Sequence, residues 1–586
     1  MKNNQNKILF LCFRDKLNFN RRKYNYKLMI IKDYYSSFFK EEFAMLCLYL
    51  LIAQCDKVTM KLSSLLKNKG PCLSSTLAEL LIQNKNISAE SARKVISRAV
   101  LAGEISSIKN LFPKREQFVY LSDTYGSDKF WHALTEALIK SGSALGLALS
   151  ALLARGGIIP RRDFGAASGS PVAMKKKISF SVVWQRLVNI GLCTEIFLPG
   201  IGECIALREK EERRYDSVSR QVHARLVTES VFIATLVQWS KNLNMISYNL
   251  ARTRQDEEGK APAVSNYLFD FTGPSYLSPL LTQGNSANKP GFFACDVLLG
   301  TRLTLAQVQP FIAKCKSLRS MKNIGKILFM LAASQFDDDA FQALKKEGII
   351  PATPENLFGE DFAESLRELT RFLSYYFAGA SANLEEIDSI MVALTHVQGA
   401  AAQLQGALFE YLVAEVVKHE GTVEVGKLVR SADGKKADSD VFIAKGYQEV
   451  RFIECKGYKP YSVVRHKDVQ HWIGGQVPVF INYAKQEKPG ADIHVEFWTT
   501  GKLGEDSQLS LEKFRENNSI RQRYDIHVLE AHDVRKRFNA TRNKRLIEVY
   551  EKHFAEPSYK EKSKDNFSKS YRLAGGPLEW FDDETF

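Results

Sequence analysis

The run Val450-Arg-Phe-Ile-Glu-Cys-Lys-Gly-Tyr constrains this chain more than any other. Its β-branched and aromatic residues favour an extended strand. Strand side chains alternate between faces, so Glu454 and Lys456 point one way and Ile453 and Cys455 the other. A glutamate and a lysine set into an apolar strand are costly unless paired or bound to something. Asp440 opens the preceding strand segment, Asp440–Ala444, and a hairpin with Glu449–Gly457 brings it beside Glu454. Two carboxylates converging at a strand end make a hard, oxygen-rich site suited to Mg2+ or Mn2+. Lys456 beside them can orient and help deprotonate a water, or stabilise developing negative charge, as metal-assisted phosphodiester hydrolysis requires. The bland alternative is a strand-end salt bridge between Glu454 and Lys456.

The surrounding pattern alternates helices and strands. Helices are expected over Gly406–His419, the start of Val463–Tyr483, Ser510–Ile520 and a basic segment from Val534. Strands are expected over Thr422–Ser431, Ile493–Thr500 and Ile526–Leu529. With Glu410 on a helix, Asp440 opening a strand and Glu454-Cys455-Lys456 on the next, residues 401–535 resemble the PD-(D/E)xK, or restriction-endonuclease-like, nuclease superfamily. The resemblance implies a mixed-sheet α/β domain, Asp440 and Glu454 as ligands of a divalent metal, Lys456 as a catalytic residue and Glu410 as a supporting metal ligand. Ser439 stands where the family has proline, and Asp438 is an alternative or auxiliary ligand. Gln470 and Gln476 are candidates to touch the site. The other Glu-x-Lys triplet, Glu258-Gly259-Lys260, lies in a polar linker without strand context and is set aside.

Residues 263–360 also alternate strands and helices. Phe269-Asp270-Phe271 matches the Asp440 strand, and Phe293-Ala-Cys-Asp296-Val-Leu298 matches the Glu-x-Lys strand, with leucine in place of lysine. A leucine cannot activate water, so this stretch is a candidate inactive copy of the nuclease domain, against an unrelated α/β insert. Asp337-Asp338-Asp339 fits a helix N-terminus, where carboxylates suit the dipole.

Residues 29–125 read as helix, helix, strand pair, with Ser88 capping the second helix. The order resembles a winged helix-turn-helix, which implies contact with DNA or with a partner protein. Arg93, Lys94 and Arg98 lie on that second helix. Residues 142–208 repeat the theme with Lys175, Lys176, Lys177 and Arg186, giving a second winged-helix-like domain. Residues 209–262 and 361–400 read as helical connectors and 401–555 as the nuclease domain. Residues 1–28 read as a flexible arm or upstream extension, with Met29 as an alternative start, and 556–586 as a polar tail.

The chain has 586 residues and a formal net charge of +15. A basic balance on an otherwise ordinary globular composition favours an anionic partner, with nucleic acid first. Nine cysteines are scattered without a CxxC pair, which argues against a zinc finger and a secreted disulfide framework and favours a reducing cytoplasm. The apolar segment Phe43–Ala53 is too short to span a membrane, and no GxxxxGK[ST] nucleotide loop occurs. The fold class expected is multidomain α/β plus α. The function expected is metal-dependent DNA cleavage, plausible in restriction or anti-phage defence. The alternative is a non-catalytic DNA-binding regulator or scaffold with a relic nuclease fold. Arg535, Lys536 and Arg537, with Arg521, Arg523, Arg542, Lys544 and Arg545, are the candidates by which the C-terminal domain holds a phosphate backbone.

Overall fold

The computed structural model describes residues 62–85, 87–208, 213–255, 261–283, 289–321, 324–376, 383–395, 400–458, 462–518 and 524–555. The expectations for the arm, Met29, Phe43–Ala53, Arg521, Arg523 and the tail lie outside the described residues. The chain divides into two compact units, 1–137 and 138–586.

In the first unit, β1 (Cys72–Leu73), α1 (Ser74–Lys85), α2 (Ala89–Leu101), β2 (Ser106–Ile108) and β3 (Phe118–Tyr120) form two helices and a sheet of order β1-β3-β2. The Ser88 side chain accepts from the Ser91 amide and starts α2. Ala92, Ile96 and Ala99 recur at helical spacing and are buried. Helix α3 (Asp128–Lys140) spans the division between the units.

The second unit is a mixed α/β assembly built around two five-stranded sheets. Before them come α4 (Ala144–Ala154), β4 (Ile158–Pro160), α5 (Phe180–Ile190) and the hairpin β5 (Cys193–Leu198) with β6 (Gly202–Leu207). Helix α6 (Arg213–Asn242) then leads to the middle sheet. Its strands are β7 (Arg252–Thr253), β8 (Phe271–Ser275), β9 (Gly291–Leu303), β10 (Ile327–Phe336) and β11 (Ile349–Ala352), in spatial order 7-8-9-10-11. Between them lie α7 (Leu305–Arg319) and α8 (Asp338–Lys346), the latter preceded by Asp337, whose side chain pairs with Arg302 at 3.0 Å.

Helices α9 (Glu360–Tyr376), α10 (Leu384–Thr395) and α11 (Ala400–Val417) lead to the C-terminal sheet. Its strands are β12 (Thr422–Arg430), β13 (Lys436–Lys445), β14 (Glu449–Lys456), β15 (Asp492–Thr499) and β16 (Tyr524–Leu529), in order 12-13-14-15-16. The segment Val463–Tyr483, expected to start as a helix, opens on the short strand Val463–Val464 and then forms α12 (His466–His471), a widened π turn (Trp472–Gln476) and α13 (Val477–Glu487). Gly474 and Gly475 lower the helix propensity there, and Pro478 lacks the amide that would continue the ladder. Helices α14 (Glu505–Asn518), α15 (Ala531–Ala540) and α16 (Lys544–His553) complete the domain.

Both sheets follow one plan. In each, the first two pairings are antiparallel and the last two parallel. Phe293, Cys295 and Val297 of the middle sheet and Val441, Ile453 and Cys455 of the C-terminal sheet share one core with residues of α6, α9, α10 and α11, so a common helical layer lies between the sheets. The opposite faces are closed separately, by α7 over the middle sheet and by α12 and α13 over the C-terminal one. Among the described residues no single helix is long and apolar enough to cross a membrane.

Candidate active site

The strand β13 starts at Lys436, four residues before the expected opening at Asp440, because pairing with β12 runs back to Arg430↔Lys436. Its pairing with β14 ends at Val441↔Ile453. Beyond that point the strands part, and the next free amide, Cys455 N–H, donates to Asp440 Oδ2 at 2.7 Å. The carboxylate takes over the ladder where the backbone leaves it, which fixes Asp440 beside Glu454.

Lys456 Nζ donates to Glu454 Oε1 at 2.6 Å and lies 3.8 Å from Asp440 Oδ2. The other Glu454 oxygen accepts from Gln476 Nε2 at 3.0 Å, and the same amide donates to the Asp438 carbonyl at 3.2 Å. The π turn sets Gln476, one of the two glutamines the sequence offered, at the sheet end. Gln470 makes no such contact among the described residues.

Electrostatics tie the four groups together. Burial, with Asp440 and Glu454 adding to it against Lys456, drives the Glu410 carboxyl well above the usual range. Burial and then Glu454 push Asp440 up to about 7, against Lys456 and the Cys455 amide. Burial opposes the charge on Lys456, but Glu454 and Asp440 outweigh it and hold its ammonium firmly protonated. Asp438 rises to about 6, chiefly through burial, with the Gly200 backbone partly offsetting it. The tip of the β5–β6 hairpin therefore reaches this sheet end, where Lys436 Nζ also sits 4.3 Å from the Phe197 ring centre. Among the described residues, neither Glu410 oxygen nor Asp440 Oδ1 has a hydrogen-bond donor.

The middle sheet repeats this geometry residue by residue. Its β8–β9 pairing ends at Phe271↔Cys295, and Val297 N–H donates to Asp270 Oδ2 at 2.8 Å. Asp296 occupies the place of Glu454, Leu298 that of Lys456, and Glu229 on α6 that of Glu410. Here every carboxylate oxygen is taken. Arg254 donates to Asp270 Oδ1 at 3.0 Å and Glu229 Oε2 at 2.8 Å. Glu229 Oε1 accepts from Leu299 N–H, Asp296 Oδ1 from Asp270 N–H, and Asp296 Oδ2 from Lys314 Nζ. Sequence reading found Asp270 and Asp296 but missed Glu229, Arg254 and Lys314, which lie on other elements.

The remaining basic candidates fall elsewhere. Arg93, Lys94 and Arg98 are on the exposed face of α2, with Lys94 paired to Glu90. Lys175 and Lys176 are exposed, while Lys177 Nζ donates to Ser317 Oγ at 2.7 Å. Arg535 pairs with Glu551, Lys536 with Asp533 at 3.5 Å and Arg537 with Glu420 at 3.5 Å. His494, Asp525 and His527 bring ligand atoms within 4.8 Å of one another on β15 and β16, toward the strand ends opposite Glu454 and Lys456.

No family model and no curated protein matches this chain. Among solved structures it is similar to the restriction endonuclease FokI, at 11% identity and a TM-score of 0.16, over 80% of this chain and 83% of that one. A TM-score of that size carries no argument, so the functional reading rests on the chain's own chemistry.

Proposed function

We propose that the chain hydrolyses DNA phosphodiester bonds at the Glu410–Asp440–Glu454–Lys456 cluster, with Mg2+ or Mn2+ as cofactor. The observation that carries this reading is an uneven charge balance. Three carboxylates share a mostly desolvated site with one ammonium, Lys456. Buried charge without a partner is costly, and the free oxygens of Glu410 and Asp440 are hard donors of the kind a divalent cation takes. The residues present therefore fit such an ion, with Glu410, Asp440 and Glu454 to hold it and Asp438 as an auxiliary.

A bound divalent cation supplies Lewis acidity at the phosphoryl oxygens and lowers the pKa of water. Lys456, kept charged by Glu454, supplies a fixed positive hydrogen-bond donor for the negative charge that develops on the phosphate. The Cys455 amide and Gln476 hold the Asp440 and Glu454 carboxylates in orientation. Asp440 and Lys456 side chains are 21% and 29% exposed, which leaves the cluster open to a substrate.

The net charge of +15 supports a nucleic-acid substrate. The helix–helix–sheet order of residues 62–120 suits a winged helix that engages DNA or a partner protein, and a role in restriction or anti-phage defence is consistent with that combination. The test is incubation with supercoiled, linear and single-stranded DNA and with RNA, with and without Mg2+. Metal-dependent cleavage of DNA is expected, and inertness toward every DNA substrate overturns the proposal.

A further inference from the structure

Two clusters built on one plan differ in what neutralises them. In the C-terminal sheet three acids face one lysine. In the middle sheet the equivalent acids, Glu229, Asp270 and Asp296, are paired with three cations, Arg225, Arg254 and Lys314, and a further buried acid, Asp163, lies in the field of Arg254 and pairs with Arg162. Arg254 spans the helix acid and the strand acid, the pair equivalent to Glu410 and Asp440. Lys314 comes from α7 and binds the acid equivalent to Glu454, with two backbone carbonyls, Ala166 O at 3.1 Å and Leu268 O at 2.9 Å, taking its other protons.

We infer that the middle sheet is a second copy of the nuclease core in which the Arg254 guanidinium and the Lys314 ammonium hold the place of the metal ion, so that each chain carries a single cutting centre. The inference rests on the proposed function of the first cluster. Three features converge on it. The strand ladders end at equivalent pairs, Phe271↔Cys295 and Val441↔Ile453, and equivalent amides feed the two aspartates. All six carboxylate oxygens of the middle cluster already accept hydrogen bonds, so none offers a lone pair to a metal without giving up a partner. Access is closed as well: the side chains of Lys314, Glu229 and Asp296 are 0%, 2% and 6% exposed, which leaves no path for a phosphodiester. The guanidinium is suited to the task because its planar fork reaches two carboxylates at once and stays charged when buried.

The experiment measures Mn2+ binding and thermal unfolding of the full chain. Asp440→Asn with Glu454→Gln should abolish Mn2+ binding, because the middle cluster binds none. Retained Mn2+ binding in that variant, abolished on adding Asp270→Asn, overturns the inference. With His527→Ala added, which breaks the His494–Asp525–His527 group, binding that survives every one of these changes leaves the Glu410–Asp440–Glu454 site as the reading that has failed. In the same background Arg254→Ala should create a metal requirement, with Mn2+ raising the unfolding midpoint by roughly 3 °C at a cation level about 100-fold above its Kd. Arg254→Lys should show no such rise. Arg254→Leu with Glu229→Gln and Asp270→Asn, which removes cation and anions together, should fold with or without Mn2+. If that neutral variant folds while Arg254→Ala gains nothing from Mn2+, folded or not, the stand-in role of Arg254 is overturned.

Discussion

Asp440 accepts the Cys455 amide hydrogen at 2.7 Å, one residue beyond the last pairing of β13 with β14. A backbone donor that would otherwise be orphaned thereby fixes a carboxylate, and the parting of two strands becomes the framework of a site. Glu454 and Lys456, on one face of β14, are carried to the same point, with Glu410 reaching it from the helical layer.

Lys456→Ala removes the cation beside the two carboxylates. Cleavage should fall by about 10²–10³-fold, the scale for losing one preorganised donor of this kind. Single-turnover rates at saturating DNA measure it, with DNA affinity as the control for gross binding.

Gln476 holds Glu454 through its side-chain amide. Gln476→Ala should weaken Mn2+ affinity by about 10–100-fold, as loss of a group that orients a ligand does. Calorimetric titration of the cation measures the change, and an unaltered affinity would remove Gln476 from the positioning role.

The main-chain plan was legible where hydrophobic period and capping agree. Ser88 starts a helix whose bounds follow from the residues themselves. The strand bearing Glu454 was legible for the same reason, since an alternating apolar run leaves its polar residues conspicuous. Arg254 and Lys314 were not. They reach their cluster from a turn after a two-residue strand and from the middle of a helix. Only the folded chain brings those positions next to the carboxylates.

His223 gives the fold an acid limit. It lies on α6 against the β5–β6 turn, where a Cβ on Gly200 would come within 2.6 Å of its ring. Burial lowers its pKa from 6.5 to about 4. The unfolded chain therefore takes up this proton below pH 6.5 while the folded chain declines it until about pH 4. The stability present above pH 6.5 is lost progressively across that window and levels off below it. His223→Gln should flatten that part of the curve of unfolding free energy against pH.

Both basic groups are open to the same test on DNA. Replacing Arg93, Lys94 and Arg98 by alanine should weaken affinity and reduce the slope of log affinity against log salt by about 0.9 for each phosphate no longer neutralised. Replacing Arg535, Lys536 and Arg537 should do the same, since exposed pairs such as Lys94 with Glu90 and Lys536 with Asp533 are weak and yield to a phosphate. Filter binding across a salt series reads both.

In the core, Phe452 stacks on Phe480 with ring centres 4.8 Å apart beneath the strand that carries Glu454. Phe452→Ala should destabilise the domain by about 3–5 kcal/mol, read from denaturant unfolding.

The central claim is that one carboxylate cluster cuts DNA with a divalent cation. Its most direct measurement compares Mg2+-dependent cleavage by the native chain and by Glu454→Gln, at matched purity and with unfolding curves recorded for both. The account predicts cleavage by the native chain that chelation stops, and none by the variant, whose amide keeps the shape of glutamate without its charge. Equal cleavage by a folded Glu454→Gln protein would contradict it.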